Sequence, residues 1–166
     1  LEELLKDRRR RYRLIEAPGS NVWFLLFNQH CDGVTGVSLR RAMCGILSFH
    51  DVVRTSIGRF ASPAEGMIPP GTLGHDPNRR RQSVTHDQIE GWLAECSPHR
   101  QLRAFVSFGL RQRHQQLVDA MLAVWSDYGI DVVIGGTADS DARSHDDLIA
   151  ESDIYLGGWL GDYADP

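Results

Sequence analysis

Residues 102–134 read LRAFVSFGLRQRHQQLVDAMLAVWSDYGIDVVI, and the fold class turns on how their periodicity changes along the way. Residues 102–108 form a short apolar run, of strand rather than helix length. Residues 113–127 then repeat at helical spacing, with Leu117, Met121, Val124 and Tyr128 on one face and Val118, Leu122 and Trp125 beside it. Gly129 stands where a helix C-cap is expected, and residues 130–134 are a β-branched strand. Downstream, residues 141–150 suit a helix and residues 153–159 another strand. Strands alternating with helices predict an α/β layer with a largely parallel sheet. Ligands of such sheets sit beyond the carboxyl ends of the strands, so the turn at 160–165 is the first place to look for a site.

Toward the N-terminus, residues 11–17 and 21–28 read as two strands around Pro18-Gly19-Ser20, the second carrying the aromatic-rich run VWFLLF. From Ser38, a plausible N-cap, Leu39, Ala42, Met43, Ile46 and Leu47 recur at helical spacing. A second short helix is expected over 49–57 and a modest amphipathic helix over 85–96. Between them, residues 61–77 hold Pro63, Pro69, Pro70, Pro77, Gly66, Gly71 and Gly74, too many chain breakers for regular structure. No internal repeat or composition break divides residues 1–166, so a single domain is expected.

A chain of 166 residues with 42% hydrophobic content can bury a real core. Its formal charge of -4 offers no general footprint for nucleic acid or anionic lipid. The basic runs Arg8-Arg9-Arg10-Arg11 and Arg79-Arg80-Arg81 are short, lack interleaved aromatics, and read as solvated turns. No apolar run reaches the roughly 20 residues that cross a bilayer, and the N-terminal residues show no export signal of their own. The sequence reads as an excised segment. Cys31, Cys44 and Cys96 are an odd set without zinc-site spacing, best read as free thiols, which suits a reducing compartment slightly better than an oxidising one. No cofactor is expected.

Three segments carry a family resemblance. Trp23-Phe24-Leu25-Leu26-Phe27-Asn28 followed by Val37-Ser38-Leu39-Arg40-Arg41-Ala42 resembles a strand ending in Phe-Asn and the helix after it in the family-5 solute-binding proteins. Ala64-Glu65-Gly66-Met67-Ile68-Pro69-Pro70-Gly71 is similar to that family's Gly-x-Ile-Pro-Pro-Gly loop, and Gly158-Trp159-Leu160-Gly161-Asp162-Tyr163-Ala164-Asp165-Pro166 to its Gly-Trp-x-x-Asp-Tyr-x-Asp-Pro segment. The resemblance implies a periplasmic-binding-protein-like lobe of type II, with a mixed, mostly parallel sheet flanked by helices. It implies a fragment, the carboxy-terminal lobe of a receptor that captures oligopeptides, dipeptides or similar small solutes for an ABC permease. A periplasmic or extracellular place follows, lipid-anchored in some relatives, and an isolated lobe could pair into a homodimer. Departures stand at Ala150-Glu151-Ser152-Asp153, where the family has Gly-Asp-Phe-Asp, and over 29–36, which lacks Pro-Pro-Phe-Asp-Asp. They keep open an alternative, the small-metabolite sensor lobe of a cytoplasmic transcriptional regulator.

The resemblance gives Asp162 the position whose carboxylate receives a peptide's α-ammonium, a charge that cannot leave water without a fixed partner. A plain turn aspartate is the alternative. Trp159 could wall a side-chain pocket or pack in the core. Gly158 and Gly161, with Gly157, would let a ligand backbone come close, or simply make a tight turn. Asn28 and His30 could line a cleft, and Arg111 or Arg113 could pair with a ligand carboxylate. Catalysis is not expected. His30-Cys31-Asp32-Gly33 lacks the spacing of a condensation-domain motif, and nothing joins Cys31 or Cys44 to a base and its orienting group.

Overall fold

The computed structural model describes residues 19–96, 101–135 and 144–161. Strand β1 (Val22–Phe27) leads through a 3-10 turn (Asp32–Val34) to α1 (Val37–Ile46) and α2 (Phe49–Ser56). A long loop follows, and then α3 (His86–Ala94), β2 (Leu102–Val106), α4 (Phe108–Asp127), β3 (Val132–Ile134), α5 (His145–Ala150) and β4 (Ile154–Trp159). The four strands form one sheet in the order β1-β4-β2-β3. β2 is parallel to both β3 and β4, and β1 closes one edge antiparallel to β4. The expected mixed, mostly parallel α/β layer is what forms.

Alternation along the strands decides which helices cover which face. Leu102, Ala104 and Val106 of β2 and Ile154 and Leu156 of β4 are buried against the helices. Helix α4 answers with Leu110, Leu117, Val118, Met121 and Trp125, one stripe along its length. Trp125 is fully buried and its indole N–H donates to the carbonyl of Met43 on α1 at 3.0 Å, so the largest core side chain leaves no polar atom unanswered. Leu39, Ala42, Met43 and Ile46 of α1 and Ile89 of α3 complete the core. On the opposite face the rings of Phe24, Phe105 and Tyr155 pack together with His145 of α5.

The expected boundaries shift at three places. Gly36, not Ser38, is the N-cap of α1, and the Ser38 hydroxyl instead donates to the Glu95 carboxylate at the end of α3, joining the two helices. The strand expected to reach Phe108 ends at Val106, because Ser107 caps a helix that begins at Phe108 rather than at Arg113. That helix is jointed: His114 has non-helical angles (φ -137°, ψ 40°) and separates a short first segment from the long stripe. Helix α3 begins where expected, with Thr85 and Gln88 exchanging backbone N–H bonds in a capping box. Gly129 takes a positive φ of 75° after α4, as its C-cap position requires. The strand expected over 11–17 lies outside the described residues, as does the first part of the helix expected over 141–150.

Candidate functional site

β2 and β4 run parallel, so their carboxyl ends share one edge of the sheet. β4 extends farther than β2, because Gly158 and Trp159 continue the ladder with Trp23 and Val22 of β1. At that edge the Ser107 N–H still bonds the carbonyl of Leu156 at 2.8 Å, and the chain then turns into α4. The Arg111 N–H closes the first helical turn on the carbonyl of Ser107 at 3.0 Å. Its side chain is exposed, as is that of Arg113. Three large apolar side chains also stand in solvent here, Phe108 at 78%, Trp159 at 42% and Leu160 at 48%. One edge therefore gathers Trp159, Arg111 and Gly161, and the chain leads directly from it to Asp162, which lies outside the described residues.

Contacts within the chain already require glycine at 158 and 161. A Cβ on Gly158 would lie 2.2 Å from the Trp23 ring, and one on Gly161 would lie 2.6 Å from the Ser20 hydroxyl. The space above both is already filled by the chain itself. Trp23 lies flat on β4 at Gly158, and Ser20 donates to the Gly161 carbonyl at 3.0 Å. Gly158 and Gly161 thus seat β1 against β4 and fix where Trp159 and Leu160 emerge. On the other face, Gly157 leaves room for the ring of Tyr155, two residues earlier in the same strand.

Asn28 is not brought to this edge. It follows the far end of β1, six residues along the strand from Val22, the partner of Trp159, or about 20 Å at 3.4 Å per residue. There its amide nitrogen donates to the carbonyls of Ile149 (3.4 Å), Ala150 (3.0 Å) and Ser152 (3.1 Å), closing the C-terminus of α5. Its amide oxygen accepts the His30 N–H at 3.1 Å, and the Cys31 thiol points at the same carbonyls. This is a structural knot. Asp153 beside it is fully buried and accepts the Arg103 N–H at 2.8 Å.

Sequence reasoning passed over the aromatic side of the edge. Tyr155 stacks on Phe105 with ring centroids 5.8 Å apart, and its hydroxyl lies 3.4 Å from Nε2 of His145. Burial pushes the Tyr155 phenol up, opposed by a hydrogen bond with Ser107. On the helix-covered face, His114 meets the Trp23 ring edge-on at 5.5 Å, and its imidazole is held below the usual range by burial and, secondarily, by the Arg113 charge. The signal was available in the alternation of β4, which sends Tyr155 and Leu156 to opposite faces. The arrangement can bind an apolar or aromatic group against ring faces and an anionic group at a guanidinium. Away from this edge, burial pushes the Cys44 thiol on α1 up, with the Arg81 charge opposing. Among the described residues no three His, Cys, Asp or Glu side chains are placed to hold a metal ion.

No family model matches the chain, and no curated protein matches it. Solved structures do. The ABC transporter-associated periplasmic binding protein DppA from Helicobacter pylori, in complex with the peptide STSA, superposes with a TM-score of 0.78 at 18% identity over 100% of this chain and 32% of its own. The Escherichia coli murein tripeptide binding protein MppA gives 0.70 at 20% identity over 99% and 33%. The Bacillus subtilis oligopeptide-binding protein AppA, in complex with a nonapeptide, gives 0.69 at 11% identity over 90% and 33%. This chain thus spans about a third of the length of the structures it matches. The fold is that of one part of an ABC-transporter substrate-binding protein, the type II periplasmic-binding-protein arrangement that the sequence resemblance implied.

Proposed function

We propose that this chain is the ligand-binding lobe of a two-lobed ABC-transporter receptor for oligopeptides, dipeptides or similar small solutes, working outside the cytoplasm. The observation that carries the reading is the carboxyl edge of β2 and β4. There an exposed Trp159, the first turn of α4 with Arg111, and the segment leading to Asp162 converge on the place where α/β sheets receive ligands. The solved neighbours with this fold include proteins described as binding peptides, which supports the substrate class. Nothing in the comparisons favours the metabolite-sensor alternative.

In this reading Asp162 anchors the ligand's ammonium group, Arg111 lies within reach of a carboxylate, and Trp159 walls a side-chain pocket. The second lobe closes over the ligand about a hinge, and the closed form is what the permease meets. The test is calorimetric titration of the two-lobed protein, wild type and Asp162→Ala, with a mixed library of short peptides at neutral pH. Saturable binding weakened more than about tenfold, or roughly 1.4 kcal/mol, by the substitution is expected. An unaffected affinity would remove Asp162 from the site, and no binding by the wild type would remove the peptide class.

A further inference from the structure

The end of α1, the start of α2 and the two legs of the loop between α2 and α3 enclose a cavity of about 340 Å³, open to solvent on one side. That volume lies within the roughly 300–1,000 Å³ of small-molecule sites. The cavity shares no lining residue with the carboxyl edge of the sheet. Its frame is held from two directions. A Cβ on Gly45 would lie 3.1 Å from the Val84 side chain, so the second leg of the loop sits directly on α1. The Arg81 N–H bonds the Glu65 carboxylate, which ties that leg to the first. Leu47, Phe49, Pro63 and Val84 supply the apolar part of the wall.

Two opposite charges line this cavity without meeting. The Arg81 guanidinium donates to the carbonyl of Cys44 at 3.0 Å and lies over the Phe49 ring at 4.2 Å. A carbonyl and a ring face hold the cation in place without cancelling its charge, and they leave its other N–H groups unspent. The Glu65 carboxylate takes the Arg81 backbone N–H and has no cationic partner among the described residues. The charges next to them are engaged with one another: the Asp51 carboxylate accepts the Ser48 hydroxyl at 2.6 Å, lies 3.6 Å from the His50 ring and feels the charge of Arg54. A direct ion pair would have cancelled Arg81 against Glu65. Kept apart around one cavity, the guanidinium is free to take a carboxylate through parallel N–H bonds, and the carboxylate to take an ammonium. A ligand that carries both groups beside an apolar side chain answers the two charges and the wall together.

We propose that this cavity binds a free α-amino acid with an apolar side chain, its carboxylate on Arg81, its ammonium on Glu65 and its side chain against Leu47, Phe49 and Val84. The site is separate from the one proposed at the carboxyl edge and does not depend on it.

Cys44 lines the cavity, half-buried beside Arg81, so a bound ligand shields its thiol, while Cys31 and Cys96 lie outside the lining and report the reagent itself. The test is the alkylation rate of each cysteine by iodoacetamide, resolved by peptide mass spectrometry, in the 166-residue chain titrated with L-leucine, with isocaproate, which lacks the ammonium, or with isoamylamine, which lacks the carboxylate. L-leucine should slow Cys44 alone and saturably, and each isostere should need a concentration at least about tenfold higher. In Glu65→Gln leucine should lose its advantage over isocaproate, and in Arg81→Gln its advantage over isoamylamine. Both positions are exposed, an unchanged far-UV circular dichroism spectrum checks that each variant is folded, and the comparison of isostere with leucine in the wild-type chain stands without them. Asp162→Ala should leave the protection of Cys44 unchanged, which separates this site from the carboxyl edge. The proposal is overturned if leucine up to its solubility limit slows no cysteine, slows all three alike, is matched by either isostere in the wild-type chain, keeps both advantages in the variants, or loses its effect in Asp162→Ala.

Discussion

Single residues show most sharply how a side chain's job depends on what the fold puts next to it. Asn28 and Trp159 were both candidates in sequence, since each closes a strand. The antiparallel pairing of β1 with β4 sends them to opposite edges, and only the register, not the residue types, says so. His114 gained a role that no spacing announced. It sits at the joint of α4 against Trp23, and burial first, then Arg113, disfavours its charged form. With its folded pKa below the unfolded value, the native state binds fewer protons than the unfolded chain between the two. Its contribution is therefore complete above about pH 6.5 and is lost as the pH falls through that value toward the depressed folded one. The expected outcome is a urea midpoint that falls on acidification, and falls less in His114→Gln. Identical pH slopes in the two proteins would mean that His114 does not titrate differently on folding.

At the scale of elements, the seam between β1 and β4 is the part on which the site's geometry rests. Two aromatic rings lie on β4, Trp23 over Gly158 on one face and Tyr155 over Gly157 on the other, so this strand is flanked by rings where its side chains are missing. Adding one methyl group at Gly158 drives it into the indole, an overpacking that typically costs about 1–3 kcal/mol. Gly158→Ala should therefore destabilise by that order, and Trp23→Leu in the same chain should return part of the loss. A double-mutant cycle by urea denaturation reads the coupling, and strict additivity of the two changes would show that the ring is not what excludes the methyl group. The elements themselves were largely legible: α2, α3 and β4 follow from hydrophobic period and capping residues close to their observed limits. What period could not give was the early start of α4. Its first segment is separated from the main stripe by a joint at His114, and the sequence reading ends the strand at Phe108 and leaves 109–112 unassigned.

For the whole molecule, the alternation of strands and helices was enough to expect a mostly parallel sheet, but not the order β1-β4-β2-β3, since nothing local tells β4 to insert between β1 and β2. That order sets Trp159 at the carboxyl edge beside the turn into α4, where the proposed function puts the ligand. The edge is open: Phe108, Trp159, Leu160 and Arg111 face solvent, with no opposing wall among the described residues to exclude water from a bound solute. A ligand resting there gains contacts on one side only, and the ordering and desolvation costs of binding are offset by half the surface that a closed cleft provides. Under the proposed function the ligand draws the hinge of the two-lobed form shut, and its affinity includes the contacts of both lobes. The 166-residue chain should therefore bind any peptide that the two-lobed protein binds at least about a hundredfold more weakly, a difference of roughly 2.7 kcal/mol in calorimetric titrations under matched conditions. Equal affinity in the two forms would place the complete site on this lobe, and closure would then serve recognition by the permease rather than capture of the solute.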